Sequence, residues 1–214
     1  MIKLTFILFL AVFVLPDIFY SQAKERTIEN APLIAEDINP VLTGTKIPDV
    51  TLADTDGNAV ELLKRVSDKP SILIFYRGGW CPYCNTQLSQ IQEIDSELQN
   101  LGYEIIAISP DRPEELKRSI EKNKINYTLL SDSSMNAGLK FGIAFKVADE
   151  IIEKYKTYDI DLEASSGMNH HLLPVPSVFI VGTDGTIKFS YVNPNYKIRL
   201  DPDVLLAAAV AGLK

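Results

Sequence analysis

The chain has 214 residues, 46% of them hydrophobic, and a formal net charge of −7 at pH 7. That length supports one well-filled core and is short for two. The acidic balance, with no basic patch to neutralise phosphates, argues against nucleic acid as a partner and by itself identifies no substrate.

Residues 1–23 read as a secretory signal peptide. Lys3 supplies a short positive region, Leu4 to Leu15 is apolar, Pro16-Asp17 ends the stretch, and Ser21-Gln22-Ala23 puts small residues where a signal peptidase cleaves. The apolar run is short against the ~20 residues a bilayer-spanning helix needs. The expectation is therefore an exported protein, periplasmic in a Gram-negative cell, with no stable membrane insertion after cleavage. An N-terminal membrane anchor is the alternative. Residues 24–40, with Asn30, Pro32 and Pro40 among charges and isolated apolar residues, read as a lead-in segment. Residues 41–214 read as one domain.

Within that domain, Ile47 to Leu52 followed by Thr55-Asp56-Gly57-Asn58 predicts a short strand and a turn. Ser71 to Tyr76 is a continuous apolar run between Pro70 and Gly78-Gly79, the pattern of a buried strand. A helix is predicted from Pro82 to Leu101, because Leu88, Ile91, Ile94, Leu98 and Leu101 recur at three- and four-residue steps and Pro82 suits the first helical position. Tyr103 to Ser109 is a second buried strand. Asp111 to about Lys124 is a helix with acids in its first turn, and Tyr127 to Leu130 is a third strand. Ser131 to Ser134 offers caps for a short helix ending near Phe141. Residues 143–173 form a longer connection, with a helix over Val147 to Tyr158 and a polar stretch from Asp159 to His171. Ser177 to Val181 and Ile187 to Val192 read as strands joined by the turn Thr183-Asp184-Gly185-Thr186, and Asp201-Pro202-Asp203 caps an Ala/Leu-rich helix to Leu213. Alternating strands and helices imply an α/β fold with a mainly parallel sheet covered by helices.

The chemistry concentrates in Trp80-Cys81-Pro82-Tyr83-Cys84, which holds both cysteines of the chain and follows the first buried strand. Helix N-terminal N–H groups and the helix dipole favour a thiolate, the reactive form of cysteine, and this spacing lets the two sulfurs close a disulfide. A purely structural disulfide here would close a tiny loop and constrain the unfolded chain little. Zinc generally requires four ligands, and the only histidines, His170 and His171, are adjacent and distant in sequence, so no metal and no cofactor are expected. The pair reads as a redox-active dithiol.

A dithiol between a first strand and helix, then βα units, then a proline–strand–turn–strand–helix ending, resembles the thioredoxin fold: α/β, a central mixed sheet with helices on both faces. In such proteins the proline that stands here as Pro176, after Val175, has a cis peptide bond and lies against the Cys-x-x-Cys. More narrowly, Phe75-Tyr76-Arg77-Gly78-Gly79-Trp80-Cys81-Pro82-Tyr83-Cys84-Asn85, Gly142-Ile143-Ala144-Phe145, Leu173-Pro174-Val175-Pro176 and Asn193 to Arg199 resemble the peroxiredoxin-like branch of the alkyl hydroperoxide reductase/thiol-specific antioxidant group. The frame differs in detail. Arg77 stands where ordinary peroxiredoxins have proline, Cys81 where they have threonine, Cys84 at the peroxide-attacking position, and Pro176 where their activating arginine belongs.

The resemblance implies an antioxidant enzyme that reduces hydroperoxides through a Cys81/Cys84 dithiol–disulfide cycle and is re-reduced by a thioredoxin-like donor. Exchange with protein disulfides is the alternative function, and a redox-inert binding domain a second. Thioredoxin-like logic makes Cys81 the nucleophile; the peroxiredoxin frame makes it Cys84. Trp80, Arg77, Val175 and Pro176 are the residues expected to position substrate or partner, with Arg77 also able to lower a cysteine pKa. His170 and His171 read as loop residues, and Tyr191, Tyr196 and Arg199 as structural parts of the tail.

Overall fold

A computed structural model describes residues 26–212, so the signal-peptide reading of residues 1–23 lies outside the described residues. After a short 3-10 turn at Ala35–Asp37, the elements are β1 (Thr51–Ala53), β2 (Ala59–Glu61), α1 (Leu62–Asp68), β3 (Ser71–Phe75), α2 (Pro82–Glu93), α3 (Asp95–Asn100), β4 (Glu104–Ser109), α4 (Pro113–Asn123), β5 (Thr128–Ser131), α5 (Asn136–Lys140), β6 (Ala144–Lys146), α6 (Asp149–Lys156), α7 (Leu162–Ser166), β7 (Leu172–Pro174), β8 (Ser177–Val181), β9 (Ile187–Val192) and α8 (Pro202–Gly212).

Seven strands form one mixed sheet in the order β2-β1-β5-β4-β3-β8-β9. β3, β4 and β5 run parallel, as βα crossovers require, while β8 pairs antiparallel with β3 and β9 with β8 on one side, and β1 with β5 and β2 with β1 on the other, so the sheet is mixed and only its centre is parallel, short of the mainly parallel sheet expected. Both faces are covered. Because side chains alternate along a strand, Ile72, Ile74 and Tyr76 point to one side, where Leu88 and Ile91 of α2, Leu116 of α4 and Leu205 and Ala209 of α8 meet them. Leu73 and Phe75 point to the other, against Leu62 and Val66 of α1, Ala137 of α5 and Phe141. Every residue of β3 is buried, as its continuous apolar run predicts. Among the described residues no helix is long and apolar enough to cross a membrane.

Three further expectations change. The single helix Pro82–Leu101 is two: the chain breaks at Ile94 (φ −103°, ψ 7°), where the Ile94 N–H bonds back to Ile91 O and α3 restarts at Asp95, whose carboxylate accepts from the Gln99 side chain. A short acidic side chain that bonds locally suits a helix start better than an interior. The polar stretch after residue 159 contains α7, opened by the Asp161 carboxylate accepting from Ala164 N–H. And no cis peptide bond occurs among the described residues, so Val175–Pro176 is trans. Trans is the ordinary state of an X–Pro bond; Val175 N–H donates to Ile143 O and Pro176 O accepts from Asn193 N–H on the approach to β8.

Candidate active site

The dithiol sits where β3 hands over to α2. Tyr76 N–H still bonds to Ile108 O, so the strand pairing runs one residue past β3. Gly78 then takes φ +144°, a region costly to residues with a side chain, and a Cβ there would lie 2.3 Å from Trp80 Nε1. Gly79 is equally confined: a Cβ would lie 2.0 Å from Ser119 Oγ. Its N–H donates to Asp111 Oδ2 at 2.7 Å and its carbonyl accepts from Asn85 Nδ2 at 2.9 Å, so the loop is pinned from the end of β4 and from α2. Cys81 is the N-cap of α2, Pro82 its first residue, and Cys84 and Asn85 N–H both bond to Cys81 O. Cys84, Gln87, Leu88 and Ile91 form the buried face at three- and four-residue steps.

Both sulfurs are thus at a helix N-terminus, free and buried, Cys81 1% and Cys84 0% exposed. They are electrically unequal. The Cys84 thiol donates to the Cys81 sulfur and, with the Cys84 backbone N–H and the charges of Arg77 and Arg199, lowers the Cys81 pKa to about 6 against the cost of burial. Burial, and then the Cys81 sulfur itself, push Cys84 well above the ordinary thiol range.

Arg199 is the residue that sequence reasoning assigned to structure, and its position corrects that. It lies between β9 and α8, in a stretch with no helix or strand. Its Nη2 is 3.3 Å from Cys84 Sγ and 4.0 Å from Cys81 Sγ, and its Nη1 donates to Gln87 Oε1 at 3.2 Å. The cation missing before β8, where Pro176 stands, therefore reaches the sulfurs from a different segment. Tyr196 of the same tail likewise belongs to the site. The Arg77 guanidinium stacks 4.1 Å from its ring centroid, 5.2 Å from that of Trp80 and 5.6 Å from that of Tyr155, and donates to the Tyr155 hydroxyl. This aromatic enclosure lets Arg77 remain buried at 4% exposure. Among the described residues neither Arg77 nor Arg199 is ion-paired with a carboxylate, and the buried Nε of each has no hydrogen-bond partner.

Asp111 is the buried acid behind the loop. Burial raises its pKa to about 7 against the opposing pull of Gly79 N–H and Ser109 Oγ. Of the other residues singled out, Trp80 lines the site through Arg77 and Tyr155. Val175 and Pro176 are buried at the entrance to β8 and offer no surface to a partner. His170 is held through both ring nitrogens by Ser133 O and Leu172 N–H, and Nε2 of His171 pairs with Glu163, so neither contact involves the sulfurs. Tyr191 accepts from the Asn193 side chain, at the root of the tail. Among the described residues no group of three or more His, Cys, Asp or Glu could hold a metal ion.

Residues 43–190 match the model of the AhpC/TSA family. The chain is 33% identical over 169 residues to peroxiredoxin Bcp of Escherichia coli K12, covering 79% of this chain and 96% of that one. It is 31% identical over 174 residues to a 1-Cys peroxiredoxin of Medicago truncatula, covering 78% and 71%. Among solved structures, peroxidoxin BcpB of Mycobacterium tuberculosis superposes with a TM-score of 0.60 at 21% identity over 79% of this chain and 96% of that one. A peroxiredoxin-like protein of Aquifex aeolicus gives 0.64 at 18% identity over 81% and 89%. At these identities the structural matches speak for the fold alone, and they agree with the thioredoxin-like architecture described above.

Proposed function

Because the chain belongs to the AhpC/TSA family, we propose that it is a thiol peroxidase that reduces hydroperoxides through Cys81 and Cys84. The Cys81 thiolate attacks the peroxide O–O bond. One oxygen stays on the sulfur as sulfenic acid, and the other leaves as water or alcohol after taking a proton. The Cys84 thiol then displaces that hydroxyl as water and closes the disulfide. A thioredoxin-like dithiol returns two electrons and two protons by exchange through a mixed disulfide.

The observation that carries this reading is the inequality of the two sulfurs. Arg199 is nearer Cys84 than Cys81, which alone would favour Cys84 as the thiolate. Complete burial of Cys84 outweighs that proximity, and its own hydrogen bond to Cys81 hands the charge to the outer sulfur. The charges of Arg77 and Arg199 favour the Cys81 thiolate and would stabilise the negative charge that develops on the leaving oxygen. Burial of both sulfurs supports a small peroxide over a protein disulfide as oxidant.

Trapping with a sulfenic-acid probe after one equivalent of hydrogen peroxide tests the assignment. Cys84→Ser is expected to label at Cys81 and Cys81→Ser to react far more slowly. Labelling of Cys84 in Cys81→Ser, with none of Cys81 in Cys84→Ser, would reverse the roles. Insulin reduction without peroxide consumption would replace the function with protein-disulfide exchange.

Export is part of the same proposal. It is supported by the apolar run Leu4–Leu15 and the small residues Ser21 and Ala23 that follow. Sequencing the N-terminus of the native protein after cell fractionation tests it.

A further inference from the structure

Breaking the O–O bond of a hydroperoxide puts charge on the departing oxygen. Hydroxide and alkoxides leave poorly unless a proton arrives as the bond breaks. Few groups around the dithiol can supply one. Arg77 and Arg199 are cations that do not give up protons. The Cys84 proton is already bonded to the Cys81 sulfur, where it sustains the thiolate. Asp111 is turned to Gly79 N–H and Ser109 Oγ behind the loop. Tyr76 is sealed in the core, and Tyr196 meets Arg77 with the face of its ring.

Tyr155 is placed differently. It lies in the last turn of α6, and its ring packs on Trp80 with the centroids 5.7 Å apart. The same ring leans on the small core of Val147, Ile152, Leu162 and Leu173. These contacts fix the ring and carry its hydroxyl to Arg77, whose guanidinium donates to the phenolic oxygen. A phenol can accept and donate at once. Arg77 takes the accepting side, and among the described residues the O–H donates to no protein group. The hydroxyl also lies within electrostatic reach of the Cys81 sulfur, as Arg77 does. Burial holds its pKa above the ordinary phenol value, so the proton is present when peroxide arrives, while the Arg77 charge and hydrogen bond favour the phenolate that remains after transfer.

We propose that Tyr155 is the acid of the peroxide step, giving its proton to the departing oxygen and standing as a phenolate on Arg77 until water restores the proton. The proposal rests on the reading of Cys81 as the peroxide-attacking thiolate and names the source of the proton that step consumes. The thiolate gives an electron pair to the near oxygen, the S–O bond forms and the O–O bond breaks. The sulfur is oxidised by two electrons to sulfenic acid. The far oxygen takes the electron pair of the broken bond and the Tyr155 proton, and leaves as water or alcohol.

Tyr155→Phe keeps the ring against Trp80 and Arg77 and removes only the hydroxyl. The test is stopped-flow oxidation of the full, reduced chain by two oxidants of unlike leaving group. Hydrogen peroxide expels hydroxide and needs the proton; peracetic acid expels acetate, a weak base that needs none. The variant is expected to react about a hundredfold more slowly than the parent with hydrogen peroxide, and within about twofold of it with peracetic acid. Its thiolate ultraviolet titration is expected to match the parent's. A loss of the same size with both oxidants, or a loss with neither, would overturn the proposal and leave Tyr155 a packing residue. In the parent, the hydrogen peroxide step is expected to slow in D2O and the peracetic acid step to keep its rate. A hydrogen peroxide step indifferent to D2O would overturn the proposal even if Tyr155→Phe does not fold. A parent that peracetic acid oxidises and hydrogen peroxide does not would overturn the peroxidase reading as well.

Discussion

Replacing Arg199 by methionine removes the charge beside the dithiol and keeps most of the side-chain volume. At 4.0 Å from Cys81 Sγ, an attraction between unit charges is about 4 kcal/mol in an effective dielectric of ~20, equivalent to about three pKa units. Arg199 is half-buried rather than sealed, which screens the charge, and the Cys84 thiol and Arg77 continue to support the thiolate. A rise of about one unit is the expected remainder. Cys81 would then move from about 6 to ~7. At about pH 6 the thiolate fraction falls from roughly one half to roughly one tenth, and peroxide attack slows about fivefold, whereas at about pH 8 the loss is small. Stopped-flow peroxide consumption across pH, with thiolate ultraviolet absorbance on the same samples, reads both quantities. A loss of rate that is equal at every pH, with an unmoved thiolate titration, would refute the electrostatic role and leave Arg199 a merely structural residue.

Asp111 links stability to pH. Its folded pKa of about 7 lies above the ordinary value of 3.8, so its contribution is fully present below the lower value and is lost as pH rises through the upper one. Asp111→Asn is expected to gain stability over the parent at about pH 8 and none at about pH 4, measured by urea midpoints; Asp132, also raised to about 7 by burial, leaves a residual slope in both proteins. Gly79→Ala forces a methyl to within 2.0 Å of Ser119 Oγ; a loss of about 1–3 kcal/mol together with impaired peroxide turnover is expected, with part of both recovered by adding Ser119→Ala. Phe141, unexposed between Phe75 (4.8 Å) and Phe179 (5.3 Å), is expected to cost about 3–5 kcal/mol as Phe141→Ala in denaturant unfolding, with no shift in the pH profile of the reaction.

The central strands were legible because burial on both faces writes a continuous apolar run. Ser71–Phe75 and Ser177–Val181 are buried at every residue and stand out in the sequence for that reason. The dithiol was legible because Pro82 starts a helix immediately after Cys81. What stayed hidden has weak local signals. β6 and β7 have three residues each and hold one another rather than the main sheet. α1 is seven residues with only Leu62 and Val66 buried, too short a pattern to separate from a loop. Arg199 stood in a family-like stretch but carried no local sign of a role at the dithiol. It works from coil, 115 residues beyond Cys84, and only the pairing of β9 beside β8 and the seating of Leu200 in the core bring it back to the sulfurs. The family frame places an activating arginine just before β8, where this chain has Pro176; the cation beside the sulfurs comes from the tail.

The dithiol cycle is tested most directly by one measurement: peptide mapping by mass spectrometry of the reduced protein treated with one equivalent of hydrogen peroxide, alkylated before digestion. The expected product is a single peptide joined internally between Cys81 and Cys84, lighter by two hydrogens and inaccessible to the alkylating reagent. Two alkylated thiols with the peroxide still present, or a cysteine carried to sulfinic acid with its neighbour still free, would contradict it.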